Sequence, residues 1–225
     1  MTALTSTWQT FFSLDRPGKI VCVGLNYHDH AGESGMSIPA QPLLFGKFSN
    51  TFIGPGEPIV LPPISTHVDG EAELAVVIGA AARSVDRDHA MDHVFGFTVA
   101  NDVSARDLQF GDGQWFRGKG FDTFCPVLPQ IVPRTEVPDP HDLRVVQRVN
   151  GAVLQDGNTR DLIFDIPTLV AFAWDVMTLE PGDLILTGTP PGVGYFRDPR
   201  IALRPGATVE VEVEGIGSLT NPVIA

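Results

Sequence analysis

Short apolar runs separated by turn residues dominate this chain and most constrain its fold. Strand-like runs lie at Lys19 to Val23, Gln41 to Phe48, Pro58 to Leu61, Ala72 to Gly79, Val94 to Ala100, Val145 to Val149, Leu184 to Thr187 and Thr208 to Val213. Clusters of Gly, Pro or Asp bound most of them, and the 225 residues include 23 Gly and 19 Pro. Such runs with such boundaries are typical of short β-strands. The pattern predicts an α+β fold that is mainly β, with few short helices.

Two segments are candidates for helices. Asp86 to Asp92 begins with a residue suited to an N-cap, and Ile166 to Met177 carries an apolar stripe at helical spacing that we assign to the core. The chain length fits one domain. Residues 1–18 end in a turn composition, so we expect them to form a small N-terminal cap on a main domain at 19–225.

Charge and cysteine usage restrict the partners and the compartment. The net charge of −12 disfavours binding to nucleic acid or to an anionic membrane, because both carry the same sign. The longest apolar run, Leu74 to Ala82, is far shorter than the roughly 18 residues of a membrane span. Cys22 and Cys125 lack the spacing of a metal site or a disulfide framework. We therefore expect a cytoplasmic protein with neither a nucleic-acid nor a membrane partner.

Three carboxylates suggest a metal site. Glu71 and Glu73 enter an apolar run one residue apart, so in a strand both side chains share a face, roughly 6 to 7 Å apart. Asp102 follows another apolar run. Three hard oxygen ligands favour Mg²⁺, Mn²⁺ or Ca²⁺ over zinc. The alternative is a solvated strand edge with an unrelated turn residue, since such Glu pairs are common on exposed strands.

His30 and Glu33 are spaced as neighbours on one helical turn. A histidine oriented by a carboxylate is a competent general base near neutral pH. Gly32 and Gly35 weaken helix formation, so we expect the stretch from His28 to Ser37 to be mobile or marginally helical and to become ordered with substrate. The alternative is a solvated loop.

Polar donors follow Asp102 closely. Arg106, Gln109, Arg117 and Lys119 lie within one short stretch of a chain that has only 15 Lys and Arg. Arginine suits planar carboxylate recognition, so an anionic small molecule could bind there. The alternative is an ordinary surface position for these side chains.

A turn-rich segment at Thr187 to Gly194 follows a strand-like run. Its backbone N–H groups and hydroxyls, including that of Thr189, could bind an anion. The segment matches neither a phosphate-binding loop nor a dinucleotide fingerprint, so no nucleotide is inferred.

Taken together, these segments resemble the fumarylacetoacetate hydrolase family from about Lys19 to the C-terminus. The resemblance is carried by Val23 to Tyr27 with His30 and Glu33, Gly54-Pro55-Gly56, Glu71 to Gly79, Asn101 to Asp107, Lys119 to Asp122 and Thr187 to Pro190. One departure is Asp69-Gly70-Glu71, where the family usually has Asp-Tyr-Glu, and this affects the expected pocket wall.

The resemblance implies a flattened β-roll with few short helices, a homodimer, and a catalytic domain over residues 19–225. It also implies specific residue roles. Mg²⁺ or Mn²⁺ would be held by Glu71, Glu73 and Asp102. His30 and Glu33 would form a catalytic dyad on a lid. Substrate contacts would come from Arg106, Gln109, Lys119 and Thr189, with Lys119 also stabilising an oxyanion or delivering a proton.

The chemistry of such a site suits a small 2-oxo acid, which can chelate the cation through its carboxylate and keto oxygens. The leading expectation is hydrolysis of a C–C bond in a 2,4-dioxo acid, an acylpyruvate such as fumarylpyruvate, through a metal-bound pyruvate enolate, because the dyad could activate water. Alternatives with the same site are decarboxylation or tautomerisation of oxaloacetate and isomerisation of a 2-hydroxy-diene-dioate. A metal-dependent dicarboxylate-binding module without turnover is the alternative of another class.

Overall fold

A computed structural model describes residues 3–81 and 83–225, with the backbone alone for residues 3–7. The strands are β1 (Ile20–Gly24), β2 (Leu43–Lys47), β3 (Phe52–Ile53), β4 (Ile59–Val60), β5 (Val68–Asp69), β6 (Ala72–Ile78), β7 (Val94–Asn101), β8 (Ser104–Ala105), β9 (Cys125–Pro126), β10 (Val132–Pro133), β11 (Arg144–Val149), β12 (Ala152–Asn158), β13 (Leu184–Leu186), β14 (Thr208–Val213) and β15 (Gly217–Ile224). The α-helices are α1 (Ala3–Phe12), α2 (His28–Ser34), α3 (Arg106–Gly111), α4 (Phe116–Lys119) and α5 (Ile166–Val176). Short 3-10 helices lie at Ser49–Thr51, Arg87–His93, Arg134–Glu136, Thr159–Asp161 and Gly194–Phe196.

Two larger sheets organise these elements. One has six strands in the order β10-β7-β6-β13-β1-β2, and the other has five in the order β12-β11-β14-β15-β4. Two further pairs, β3 with β9 and β5 with β8, complete the strands. The α+β, mainly β fold that the turn-rich sequence predicts is thereby confirmed.

The eight predicted strand-like runs all overlap an observed strand, whereas two long strands were missed. One is β12, which pairs with β11 across a turn at Asn150 and Gly151. Both turn residues have positive φ, 51° and 80°, as a type I′ hairpin turn requires. The Asn-Gly dipeptide was therefore the available signal for this hairpin. The other is β15, which contains Asn221 and Pro222, residues that strands usually disfavour.

Both predicted helices are present, one with a tighter geometry. Helix α5 begins after Asp165, whose side chain accepts a hydrogen bond from the Thr168 N–H at 3.0 Å. The predicted helix at Asp86 to Asp92 is a 3-10 helix, Arg87–His93, in which Asp86 caps the His89 N–H. Local capping chemistry thus marks both starts.

Strand β6 lies in the middle of the core and is buried along its whole length. Leu74, Val76 and Ile78 pack in the cluster that includes α5, while Ala75 and Val77 pack in the cluster that includes Trp8. Because both faces of β6 pack against apolar residues, the strand is apolar throughout after Glu73 and does not alternate polar with apolar residues. The polar residues at the beginning of this strand are therefore held on a rigid support.

Helix α1 belongs to the segment predicted as a cap, whose first two residues lie outside the described range. Trp8 is fully buried, and its indole Nε1 donates a hydrogen bond to the Gly182 carbonyl at 2.8 Å. The indole also packs edge-on against Phe52, with ring centroids 5.4 Å apart. The division of the chain into a cap and a main domain stays a prediction.

Candidate functional site

Three carboxylates converge where β6 and β7 meet. Ala72 pairs with Asn101 in the antiparallel ladder, so Glu71 lies opposite Asp102, and the Asp102 N–H donates to the Glu71 carbonyl at 2.9 Å. One oxygen from each of these three side chains lies within 4.8 Å of the others. Their exposures are 5%, 1% and 0%. The alternative of a solvated strand edge is therefore wrong, because all three carboxylates are buried together.

Burial, mutual repulsion and neighbouring cations together set the electrostatics of this carboxylate cluster. Burial raises the pKa of Glu73 well above its usual range, and the charges of Asp102 and Glu71 raise it further. Burial also disfavours the charged form of Glu71, but the Lys119 and Arg106 cations outweigh it and hold the pKa of Glu71 well below its usual range. An excess of negative charge thus remains around Glu73, and a bound cation would relieve it.

The donor set fits a hard divalent cation. Oxygen ligands surround such ions at about 2.0 to 2.6 Å, so oxygens on opposite sides of one ion are about 4 to 5 Å apart, which matches the spacing of the three carboxylates. Asp102 Oδ1 is buried and receives no hydrogen bond from any residue that the structure describes. The Lys47 ammonium lies 2.7 Å from this oxygen, and the oxygen keeps lone pairs that a hard cation could bind. Mg²⁺, Mn²⁺ or Ca²⁺ would suit the site.

Lys119 at the end of α4 is tied to the carboxylate cluster. Its ammonium donates to Glu71 Oε2 and to Asp102 Oδ2, both at 2.7 Å. The ammonium also lies 5.0 Å from the centroid of the Phe45 ring. Burial alone would lower the pKa of Lys119, but Asp102 and Glu71 outweigh it and raise the pKa above its usual range. Lys119 therefore places a positive charge beside two of the candidate ligands.

Arg106 forms a buried ion network. Its Nε donates to Asp69 Oδ1 at 2.6 Å, and its Nη2 lies 2.7 Å from Glu71 Oε1. Its Nη1 donates to Gln109 Oε1 at 3.1 Å. These contacts orient Glu71 and fix the direction of Gln109. The predicted substrate contact of Arg106 and Gln109 stays a prediction, and the guanidinium has a clear role in holding the carboxylate cluster.

Arg117 does not join the other members of the predicted cationic set. Its side chain is 56% exposed and pairs with Asp112. Asp112 directly follows α3, and Arg117 is the second residue of α4. The alternative of a surface position is therefore right for this residue. The sequence spacing from Asp102 could not separate Arg117 from Lys119, because α4 turns the two side chains in different directions.

The segment at Thr187 to Gly194 binds carboxylates of the protein itself. The Gly188 N–H donates to Glu73 Oε2 at 2.6 Å. The Gly192 N–H donates to Glu33 at 3.0 Å. The Thr189 hydroxyl donates to a carbonyl of β6 at 3.0 Å. The anion-binding capacity that the sequence indicates is thus used, in this structure, to position side chains of the site.

The His30 and Glu33 pair lies on helix α2. His30 Nδ1 is 3.2 Å from Glu33 Oε2, and the imidazole is nearly buried at 6% exposure. Within the stretch expected to be mobile or marginally helical, His28–Ser34 forms an α-helix, and its mobility stays a prediction. Two contacts explain its formation despite the glycine at its centre. Ala31 is buried, and the Glu33 carboxylate is anchored to Gly192.

A small cavity joins these parts. Its volume is about 20 Å³, room for about one water molecule. Predicted site residues that line it are His30, Glu71, Arg106, Gln109, Lys119 and Thr189. Its apolar wall includes Leu25, Met36, Phe110, Trp115 and Phe196. The structure therefore brings the predicted dyad, the substrate-contacting residues and the carboxylate cluster to one place.

Gly70, where the resemblance predicts an aromatic residue, is surrounded by polar side chains. A Cβ on Gly70 would lie 2.7 Å from both Asn101 Oδ1 and Gln147 Nε2. Asn101 Oδ1 also accepts the Glu71 N–H at 3.0 Å. In this packing a larger side chain at position 70 would displace the Asn101 amide that supports Glu71.

Two supporting residues escaped the sequence analysis. Gln155 on β12 accepts the Ala72 N–H at 2.9 Å and donates to the Thr189 hydroxyl at 2.7 Å. Lys47 at the end of β2 is buried near Asp102. No feature of the neighbouring sequence indicated a supporting role for Gln155. Lys47 could have been noticed as a lysine at the end of an apolar run in a chain with three lysines.

Comparison with known proteins decides the family. A sequence model described as "Fumarylacetoacetate (FAA) hydrolase C-terminal" matches residues 19–224. The chain belongs to the fumarylacetoacetate hydrolase family. This family is a family of enzymes, so the flattened β-roll fold and an enzymatic role follow for the chain.

Relatives within the fumarylacetoacetate hydrolase family carry several names. The human protein "Oxaloacetate tautomerase FAHD2A, mitochondrial" is 49% identical over 211 residues, which cover 93% of this chain and 67% of the relative. A crystal structure of 2-hydroxyhepta-2,4-diene-1,7-dioate isomerase from Mycobacterium marinum is 47% identical with a TM-score of 0.82, and covers 92% of this chain and 75% of that one. Fumarylacetoacetate hydrolase from Exiguobacterium antarcticum is 42% identical with a TM-score of 0.86, over 93% and 76% of the two chains.

Membership of the family does not determine the compartment or the assembly. Among the helices that the structure describes, none has the length and apolar character needed to cross a membrane. The human relative is named as a mitochondrial protein. The cytoplasmic location and the homodimer predicted for this chain both stay predictions.

Proposed function

We propose that this chain is a divalent-metal-dependent tautomerase of small 2-oxo dicarboxylic acids such as oxaloacetate. The observation that carries the proposal is the placement of His30 and Lys119, two groups that can transfer or stabilise a proton, around one cavity beside three carboxylates. The relatives named as oxaloacetate tautomerase and as a hydroxydiene-dioate isomerase support this reading over the acylpyruvate hydrolysis that the sequence analysis favours.

Glu71, Glu73 and Asp102 would hold the cation of such a tautomerase. When bound, a divalent cation supplies Lewis acidity to the keto and carboxylate oxygens of the substrate and so makes the adjacent C–H more acidic. The protein contributes the geometry, because Asn101, Arg106 and Gly188 already hold Glu71 and Glu73 in place.

Proton transfer is assigned to His30. With Nδ1–H directed to the Glu33 carboxylate at 3.2 Å, the ring nitrogen left to accept a proton is Nε2. His30 Nε2 takes the proton from C3 of the keto form, the C–H electron pair forms the C2–C3 double bond, and the negative charge moves to the C2 oxygen. Protonation of that oxygen by the imidazolium completes the enol. The reverse sequence converts the enol to the keto form.

Lys119 would stabilise the developing negative charge. The residue lines the cavity, and its ammonium lies 2.7 Å from the carboxylates of Glu71 and Asp102. A buried cation that is already in position before the reaction begins can stabilise an enolate without any reorganisation of solvent. The raised pKa of Lys119 keeps the group charged for this purpose.

Substrate entry requires movement of the lid. A cavity of about 20 Å³ is too small for a four-carbon acid, since it holds about one water molecule. Helix α2 carries His30 and forms one side of the cavity, so opening of α2 is the motion that admits substrate and its closure excludes water. The apolar wall at Met36, Trp115 and Phe196 favours short substrates.

The test measures tautomerisation separately from cleavage. Freshly dissolved enol oxaloacetate is mixed with purified protein and Mg²⁺ or Mn²⁺, and the ultraviolet absorbance of the enol is followed beside a coupled assay for pyruvate. We expect enol loss well above the rate with metal alone and without matching pyruvate formation. Pyruvate formed at the rate of enol loss would instead show decarboxylation, and an unchanged enol decay would reject the proposal.

Hydrolysis of acylpyruvates is the second candidate. The dyad of His30 and Glu33 could equally activate water, and the similar Exiguobacterium antarcticum structure bears the name of a hydrolase. Incubation with acylpyruvates of increasing acyl length, followed by assay of pyruvate, tests it. Rapid pyruvate release from any of them, with slow enol loss from oxaloacetate, would favour hydrolysis. Failure to turn over any 2-oxo acid would favour a binding module.

A further inference from the structure

We propose that Lys47 is a positioning residue that holds Asp102 and Lys119 in the arrangement the cation and substrate require, an inference that rests on the proposed function. Lys47 is the last residue of β2, and its side chain is fully buried. Its ammonium donates to the carbonyls of Val103 at 3.0 Å, Lys119 at 2.7 Å and Phe124 at 2.8 Å.

The three acceptors come from the segments that build the site. Val103 directly follows the candidate ligand Asp102, and the Lys119 carbonyl belongs to the residue whose ammonium binds the carboxylates. Phe124 precedes β9. A single ammonium therefore fixes the spacing between the end of β7, the end of α4 and the beginning of β9.

The contact between Lys47 and Asp102 has a specific form. Nζ lies 2.7 Å from Asp102 Oδ1, but an ammonium has three protons, and all three are directed to carbonyls. Asp102 Oδ1 is consequently attracted by the charge without accepting a hydrogen bond from any described residue. This leaves its lone pairs available to a cation, while Lys119 holds the other oxygen of the same carboxylate.

A purely structural clamp would not need a charge. Burying an ammonium away from water is costly, and three carbonyls could be bridged more cheaply by neutral donors. The chain has three lysines in all. Two of them, Lys47 and Lys119, are buried against Asp102, whereas Lys19 is partly exposed in ion pairs with Asp183 and Glu180. The use of a lysine at position 47 is therefore best explained by the neighbouring carboxylate.

The first experiment compares two matched variants, Lys47→Met and Lys19→Met. Each removes one ion-paired ammonium and keeps an unbranched side chain that is one atom shorter. For each we measure the Mn²⁺ dissociation constant of the metal-free protein by electron paramagnetic resonance, the melting temperature, and kcat and KM with oxaloacetate. We expect Lys47→Met to weaken Mn²⁺ binding and lower kcat by about 10-fold to 100-fold, as loss of a supporting contact to a ligand does. KM should change less.

Lys19→Met separates the positioning role from a structural one. It should lower the melting temperature and leave Mn²⁺ affinity and kcat unchanged, because Lys19 contacts Asp183 and Glu180 away from the site. If Lys47→Met behaves in the same way, with lower stability alone, the inference fails. If wild type itself does not bind Mn²⁺, the proposed function fails instead.

A measurement on the wild-type protein covers the case in which Lys47→Met does not fold. With ¹⁵N-lysine, the three lysines should give three ammonium signals, and we expect the two buried ones to exchange slowly with water. Loss of one slow signal in Lys119→Met assigns the other to Lys47. Addition of Mg²⁺ to wild type should shift the Lys47 signal and leave that of Lys19 in place. An unmoved Lys47 signal at saturating Mg²⁺ overturns the inference.

Discussion

Glu33 and Gly192 are joined by a shared hydrogen bond. Both carboxylate oxygens of Glu33 lie 3.0 Å from the Gly192 backbone N–H. The same carboxylate contacts His30 Nδ1 at 3.2 Å. One side chain thus orients the imidazole and also fastens helix α2 to the segment that positions Glu73. In the proposed mechanism, closure of the lid and alignment of the base would depend on this same carboxylate.

Glu33→Gln should lower kcat strongly with a small effect on stability. The amide keeps the shape and can still accept from Gly192, but it loses the charge that stabilises a protonated His30. A loss of general-base function is worth about 10²-fold to 10⁴-fold. The control is Glu57→Gln, because Glu57 also accepts from a glycine N–H, that of Gly54 at 2.5 Å, away from the site. Enol-loss rates and melting temperatures are compared, and equal activity of the two variants would contradict the dyad.

Gly192→Ala should destabilise the protein beyond the effect of backbone strain. Gly192 has a φ of 104°, and a Cβ there would lie 2.2 Å from the Leu154 carbonyl oxygen. We expect a loss of about 3 kcal/mol in the free energy of unfolding. Gly206→Ala is the control, since φ is 86° but no described atom lies within 4 Å, so about 1 kcal/mol is expected. Urea midpoints measure both. Equal losses in the two variants would mean that the close approach to the Leu154 carbonyl does not contribute to the loss of stability.

Glu73→Gln should abolish stabilisation by metal and leave the metal-free protein at least as stable as wild type. Burial and the charges of Asp102 and Glu71 raise the pKa of Glu73, so a neutral amide of the same shape relieves repulsion. It also removes one of the three oxygen anions that would bind the cation. Melting temperatures with and without Mg²⁺ test this. Glu212→Gln, an exposed partner of Arg148, should keep the Mg²⁺ response. An equal response in Glu73→Gln would reject its role as a ligand.

Asp165→Ala should cost about 1 kcal/mol of stability through loss of the N-cap of α5. Asp165 accepts the Thr168 N–H at 3.0 Å and pairs with Arg87. Burial raises the pKa of Asp165, but Thr168 and Arg87 outweigh it and lower the pKa. Because the folded pKa is depressed, this contribution is present above the unfolded pKa of about 4 and is lost as the pH falls through the folded value.

The matched variant Asp165→Asn separates the cap from the ion pair. Asparagine caps helices about as well as aspartate, so this variant should retain most of the stability at neutral pH. The stability difference between Asp165→Asn and Asp165→Ala should stay constant between pH 3 and 7. The difference between wild type and Asp165→Ala should decrease as the pH falls. Thermal unfolding across this range measures the difference. An asparagine variant as unstable as the alanine variant would assign the whole effect to the charge.

Residues whose surroundings are local were predictable. The caps Asp86 and Asp165 act within three residues of their own position, so their helix starts could be inferred from neighbours alone. Glu71 and Glu73 share a face because they alternate along a strand. The separate directions of Arg117 and Lys119 were not predictable, because they depend on how α4 packs.

The amino-acid sequence by itself determined the strand-rich class of the fold, the alternation of Glu71 and Glu73, and the helical spacing of His30 and Glu33, since each depends on neighbours along the chain. The tertiary structure alone decided that Asp102 meets both glutamates, that Gly192 fastens Glu33, and that Lys47 lies beside Asp102. These contacts join segments as far as 159 residues apart. The physical reason is that a buried charge is tolerated only where other groups compensate it. The packing of the sheets determines which distant residues lie close enough to do so.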